Sequence, residues 1–175
     1  RLRCDWSSDV CSSDLYVLTN HVLSAGADIL WRKKVGRVVA GWDPLKILDV
    51  ATGTGDLALE LQRKCKNADV LGTDFCEEML AHAKKRGLRE TMVADALNLP
   101  FGDGRFDVVT VAFGLRNMAS WEAGLREMAR VVRRGGHVVV LDFSLPRGML
   151  RKPYLFYLSR SEERRVGKEC RARWS

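Results

Sequence analysis

The 175-residue sequence has no run of about 18 apolar residues, the length a membrane-crossing helix needs. Its first residues lack the apolar stretch of a secretory signal, so none is expected there. The three histidines are scattered, and the five cysteines (Cys4, Cys11, Cys65, Cys76, Cys170) have no metal-type spacing. No metal site is expected from such a pattern. Internal repeats and low-complexity linkers are also missing, so one domain is the simplest organisation. What is present is an ordinary globular composition, 46% apolar and 29% charged. A chain of this size can bury roughly 70% of its unfolded surface in one core.

Composition shifts sharply at both ends. Residues 1–15 (RLRCDWSSDVCSSDL) and 160–175 (RSEERRVGKECRARWS) show no periodicity that would bury a face. Both resemble in-frame translations of short-read sequencing adapters, so neither is expected to fold. Residues 16–159 are expected to hold the domain, cut short at both ends. The net charge of +7 then narrows. The flanks carry eight Lys or Arg and six Asp or Glu, which leaves 21 and 16 in the interior, or +5. Only Cys65 and Cys76 remain, which fits a reducing cytoplasm and no disulfide framework. They are expected to be packing residues.

The interior alternates apolar runs with helical patterns. A helical region covers residues 18–39, with Ile29, Trp31, Val35, Val38 and Val39 among its apolar positions, and Asp43-Pro44 ends it. Strands are expected at 46–51, 69–74, 91–94, 106–112 and 137–143. Helices fill 56–65 and 77–86, the latter stopped by Gly87. Ser120 can cap a further helix with Trp121, Leu125, Met128, Ala129 and Val132 on its core face. Gly135-Gly136 is expected to end that helix and turn into the last strand. This pattern specifies an α/β fold: a mostly parallel sheet between two helical layers, Rossmann-like.

The first strand runs into DVATGTGDLA, residues 49–58. Gly53, Gly55 and Ala58 satisfy G-x-G-x-x-G/A, with Thr54 between the glycines. Small residues let the backbone approach a ligand, and the helix that follows offers free N–H groups. Asp74 lies 19 residues after Gly55 at the end of the second strand, where a carboxylate can accept both hydroxyls of a ribose. Nicotinamide dinucleotides and S-adenosylmethionine both suit this arrangement. Several residues favour S-adenosylmethionine. Asp49 ends the first strand, and Asp56 follows the loop, where an acid suits a cationic sulfonium better than a pyrophosphate. Asp95-Ala96 follows the third strand, where an acid can accept from an adenine amino group. A helical region of over 20 residues also precedes the first strand.

Longer segments carry a more specific likeness. YVLTNHVLSAG (16–26), LWRK (30–33), ILDVATGTGDLALEL (47–61), DFCEEML (74–80), ADALNLPF (94–101), FDVVTVAFGLRNM (106–118) and LDFSLP (141–146) resemble the quinone C-methyltransferases of the demethylmenaquinone and polyprenyl-benzoquinol type. These are class I enzymes dependent on S-adenosylmethionine. The likeness covers nearly all of residues 16–159, and FGLRN is its most specific element. Three positions depart from the family pattern. Val17 stands where an Asp is usual, Ala112 where a Ser is frequent, and Arg133-Arg134 where Lys-Pro precedes the glycines.

The resemblance implies S-adenosylmethionine held by Asp49, Gly53, Thr54, Gly55, Asp74, Asp95, Ala96 and Ala112. It implies that a prenylated quinol is methylated on a ring carbon, menaquinone or ubiquinone precursors being alternatives. Ring methylation requires an oriented ring, a stabilised phenolate and excluded water. Arg116 is expected to stabilise the phenolate, and Asn117 to orient the hydroxyl. Asp142 is a candidate general base or a partner of Arg116. Tyr16 and Asn20 are expected to cover the quinol. His82 is expected at the surface, and His137 in a structural role. Class I methyltransferases add a hairpin beside the last strand; here it is missing, which implies an open edge and an inactive fragment.

The basic residues Arg32, Lys33, Lys34, Arg37, Arg147, Arg151 and Lys152 read as a solvated face, or as a peripheral contact with anionic lipid where a prenylated quinol resides. A scattered +5 is no nucleic-acid stripe. No feature specifies an oligomeric state.

Overall fold

The computed structural model describes residues 27–142. Their elements run α1 (Ala27–Ala40), β1 (Lys46–Val50), α2 (Asp56–Lys64), β2 (Asp69–Asp74), α3 (Glu77–Lys85), β3 (Glu90–Val93), β4 (Phe106–Ala112), a 3-10 turn (Leu115–Asn117), α4 (Trp121–Val131) and β5 (Val132–Leu141). The sheet has the order β3-β2-β1-β4-β5, and every pairing is parallel. The α/β expectation for the described residues is met. Tyr16, Asn20, the adapter-like ends and any hairpin after β5 lie outside the described residues.

Alternation along the strands builds two cores. Ile47, Val70 and Val108 point to the face covered by Val39 of α1, Leu57, Ala58 and Leu61 of α2, and Ala83 of α3. Leu48, Val50, Val109 and Val111 point the other way, against Met128 and Val131 of α4 and against Leu99 and Phe101 of the β3–β4 connection. β1 is therefore buried on both faces, as a near-continuous apolar run requires in a parallel sheet. The chain winds outward through β2 to β3 and then crosses to β4. This places the topological switch between the C-terminal ends of β1 and β4, where open α/β sheets bind ligands.

Several expectations are corrected, the start of the last strand first. β5 begins at Val132, not at His137 after a glycine turn. Phe106 pairs with Val132 and Val108 with His137, so five residue steps on β5 match two on β4. The Arg133–Gly136 segment is thus a bulge inside the strand. Gly136 lies against β4 so closely that a Cβ there would stand 2.5 Å from the Asp107 carbonyl oxygen.

The core face of α4 is Gly124, Met128 and Val131, while Trp121 is exposed. Gly124 packs on the Met118 thioether, which a Cβ there would meet at 2.6 Å and push aside. On α1, Ile29, Trp31 and Val38 are exposed, and the buried positions are Asp28, Gly36 and Val39.

Of the two interior cysteines, Cys65 is buried and free, as expected of a packing residue. Cys76 is disulfide-bonded instead. It is half-buried at the residue before α3. His82 is exposed on α3. His137 stacks on Trp42 with ring centroids 3.8 Å apart.

Candidate active site

The loop after β1 is held from below by acids. Asp49 is 1% exposed, and its two oxygens accept from Thr110 Oγ1 at 2.5 Å and Thr52 Oγ1 at 2.6 Å. Burial pushes its carboxyl up to about 6, against the pull of the two hydroxyls and of Arg32. Asp49 thus lies beneath the loop and fixes its first turn. Thr52 also donates its N–H to the Thr73 carbonyl at 2.9 Å, which draws the loop across to β2.

Asp74 closes this tie. Its Oδ2 accepts the Gly53 N–H at 2.9 Å, and its Oδ1 accepts the Cys76 N–H at 3.0 Å. Burial raises its pKa, against these backbone donors. An ionised carboxylate has about four acceptor sites, so beside its Gly53, Cys76 and Phe75 backbone donors Asp74 can still accept from a ribose.

The backbone is strained at the switch. Ala51 (φ 52°) and Phe113 (φ 58°) are non-glycine residues in the left-handed region, and each directly follows a strand end, that of β1 or β4. Strain of this kind concentrates at ligand sites. Gly53 shares the conformation at φ 55°, and among the described residues no atom lies within 4 Å of where its Cβ would be. Among the described residues the loop therefore presents bare backbone with nothing packed over it.

Beside it, Thr54 Oγ1 reaches Asp56 at 3.4 Å, and the Thr54 carbonyl accepts from Arg86 at 2.8 Å. Arg86 also pairs with Asp56 at 2.7 Å. Gly55 opens α2, whose first N–H groups face the same end of the sheet.

The ends of β2 and β3 are joined by the Ala94 N–H to the Asp74 carbonyl at 3.0 Å, which brings Asp95 and Ala96 to the rim. Asp95 is exposed and accepts the Leu97 N–H at 2.8 Å. Ala112 ends β4, half-buried. Arg116 and Asn117 occupy the 3-10 turn just beyond it, both exposed. Arg116 pairs with Asp142 at 3.2 Å and lies 5.9 Å from the centre of the Phe113 ring. The structure thus brings the two halves of the expected site to one end of the sheet: the glycine loop with its acids, and the FGLRN turn.

Two further residues stand at this end without a clear signal for it in the sequence. Phe75 is 69% exposed directly after Asp74, a large ring left in solvent at the rim. An apolar residue after a strand-end acid is a weak signal for it. Arg32 is the second. It falls in a basic run read as a solvated or lipid-facing surface, but its side chain is only 12% exposed. It pairs with the fully buried Asp28 one helical turn away, and Nη2 lies 3.8 Å from Asp56. Arg32 therefore leaves the basic face, on which Lys33, Lys34 and Arg37 remain exposed.

The ubiE/COQ5 methyltransferase family matches residues 8–161 of this chain. A demethylmenaquinone methyltransferase of Thermus thermophilus is 47% identical over 151 residues, which cover 83% of this chain and 69% of the relative. A ubiquinone/menaquinone biosynthesis C-methyltransferase of Bdellovibrio bacteriovorus is 46% identical over 129 residues, covering 71% of this chain and 55% of the relative. The chain thus spans between about half and two thirds of the length of such relatives. Among solved structures, a SAM dependent methyltransferase of Aquifex aeolicus is similar in fold, with a TM-score of 0.53 at 23% identity over 60% of each chain.

Proposed function

The chain belongs to the ubiE/COQ5 methyltransferase family, and from that premise we propose that the protein transfers a methyl group from S-adenosylmethionine to a ring carbon of a prenylated quinol. Demethylmenaquinol is the proposed acceptor, after the name of the Thermus relative. The corresponding ubiquinone precursor is the second reading, favoured by the double name of the Bdellovibrio relative. The observation that carries the proposal is the FGLRN turn at the switch point, with Arg116 beside the strained Phe113 and across from the glycine loop.

The residues present fit the cofactor. Bare backbone at Gly53 allows close approach, and Asp74 can take ribose hydroxyls. Asp49, Thr54, Gly55, Asp95, Ala96 and Ala112 line the same end of the sheet. Asp49 and Asp56 supply the negative field that a sulfonium and an ammonium require. Phe75 offers an apolar face beside Asp74 for the adenine ring. Bound there, S-adenosylmethionine supplies an electrophilic methyl group.

The chain's own residues prepare the acceptor. The Arg116 guanidinium stabilises the phenolate that pushes electron density to the attacking ring carbon. Asn117 holds the hydroxyl in line. Asp142, hydrogen-bonded to Arg116, fixes the orientation of the guanidinium and neutralises its charge between turnovers. A prenylated acceptor resides in lipid, and the exposed Lys33, Lys34 and Arg37, with Leu30 63% exposed beside them, support a peripheral contact with an anionic surface. No helix of the described residues is long and apolar enough to cross a membrane.

Titration calorimetry with S-adenosylhomocysteine and with NAD tests the cofactor. S-adenosylhomocysteine is expected to bind and NAD is not; the reverse would make the site a dinucleotide site. Methyl transfer to demethylmenaquinol and to a polyprenyl-methoxybenzoquinol then separates the two acceptors.

A further inference from the structure

Arg32 has an unmet donor in the middle of the candidate site. Its Nε is buried and has no hydrogen-bond partner. The other contacts of the guanidinium are defined. Nη1 donates to Asp28, and the group lies over the Phe113 ring, 5.2 Å from its centre. Nη2 stands 3.8 Å from Asp56, too far for a hydrogen bond. The Nε and Nη2 N–H groups point the same way from one edge of the planar fork. That edge matches the two oxygens of a carboxylate. Orphaned buried donors are rare because each one forfeits its hydration. A guanidinium cannot escape the cost by losing its proton, so a donor left this way calls for an acceptor.

Its location names the acceptor. Arg32 lies between the strained Phe113, after β4, and Asp56, which opens α2 after the glycine loop. It also acts electrostatically on Asp49 at the end of β1. These three contacts surround the switch point. The acids there suit the cationic groups of S-adenosylmethionine, but they repel its carboxylate. The other arginines at this end are engaged: Arg86 with Asp56 and the Thr54 carbonyl, and Arg116 with Asp142. We propose that Arg32, from the helix that precedes β1, binds the carboxylate of the cofactor's methionyl group through its Nε–Nη2 edge. The ion pair with Asp28 then holds the fork in the orientation that this contact needs. The proposal rests on the cofactor reading above.

The test compares two ligands on the full chain by titration calorimetry: S-adenosylhomocysteine, and its decarboxylated analogue, which keeps the adenosine, the thioether and the amine. The unsubstituted chain is expected to bind S-adenosylhomocysteine about 10- to 100-fold more tightly than the analogue, the scale of a charge-assisted bidentate contact. Arg32→Lys keeps the charge but loses the fork and should erase most of that preference, with analogue affinity unchanged within about twofold. Arg32→Ala should erase it fully. If Arg32→Lys weakens both ligands equally, or neither, Arg32 only fastens α1 to α2 and the proposal falls. An unsubstituted chain that binds both ligands equally well overturns the proposal and leaves the cofactor reading standing. A chain that binds neither overturns the cofactor reading, and the Arg32 proposal with it.

Discussion

Asp74 accepts the Gly53 N–H at 2.9 Å, so the carboxylate that ends β2 directly sets the backbone of the loop that follows β1. The same group accepts the Cys76 N–H at the start of the next helix. One buried side chain therefore ties together three segments that are separate in sequence. It ends β2 at the end of the sheet where the ribose is proposed to bind.

Replacing that carboxylate separates its two roles. Asp74→Asn retains one acceptor oxygen and turns the other into a donor, so at least one of the backbone N–H groups it accepts from loses its partner. The expected loss of stability is about 1–3 kcal/mol, the cost of one unmatched buried donor. Affinity for S-adenosylhomocysteine should fall more than tenfold, because a ribose hydroxyl then meets a donor. Urea unfolding and calorimetry measure the two effects. A stability loss with unchanged affinity would show that Asp74 serves the loop alone.

Asp49 gives the site a pH dependence. Burial raises its carboxyl to about 6, above the ordinary carboxylate range. The folded chain thus holds this proton more tightly than the unfolded chain does. The contribution of Asp49 to stability is intact below about pH 4 and declines as pH rises toward 6, by up to about 3 kcal/mol for a shift of this size. Asp49→Asn removes the titration, so the difference in unfolding free energy between pH 4.5 and 7.5 should move toward the more basic condition. A cationic ligand favours the ionised form. Binding of S-adenosylmethionine near pH 6 should therefore release a proton, visible as a dependence of binding heat on buffer ionisation. Asp49→Asn should abolish that release.

Arg116 is assigned to the reaction and not to cofactor binding. Arg116→Ala should lower methyl transfer by about a hundredfold or more, the scale of removing one donor to a developing oxyanion. S-adenosylhomocysteine affinity should change less than threefold. Single-turnover rates and calorimetry on the same protein decide it, and an equal loss in both would move Arg116 into the cofactor site.

The parts of this fold that were legible in the sequence are those governed by local pattern. β2 and β4 have the bounds that their apolar runs imply, and Leu57, Ala58 and Leu61 form the buried face of α2 that their spacing implies. The glycine loop and Asp74 carry their own spacing signal. What was not legible depends on contacts distant in sequence. The RRGG segment has the composition of a turn, and only pairing with β4 makes it a bulged strand. The core face of α4 includes Gly124, packed on Met118 from outside the helix, and leaves Trp121 exposed. Arg32 stands in a run with Lys33 and Lys34, so its charge resembles theirs. Its burial follows from Asp28 and Asp56, and the latter lies 24 positions away on another helix.

Gly53 offers the sharpest separation of folding from binding. Its φ of 55° is left-handed, so alanine there costs about 1–2 kcal/mol in backbone strain. Among the described residues no neighbour lies within 4 Å of the added methyl group, so none of them adds a collision to that cost. Gly53→Ala should therefore fold, with a denaturation midpoint only modestly lowered. The methyl group would project into the space over the loop that the cofactor is proposed to approach. Affinity for S-adenosylhomocysteine should fall by more than tenfold, beyond what the strain accounts for, since strain present in both free and bound chain cancels in binding. Calorimetry on the folded variant measures this directly. Unchanged affinity would mean that the ligand does not approach the chain at Gly53, and the glycine would then be explained by the turn alone.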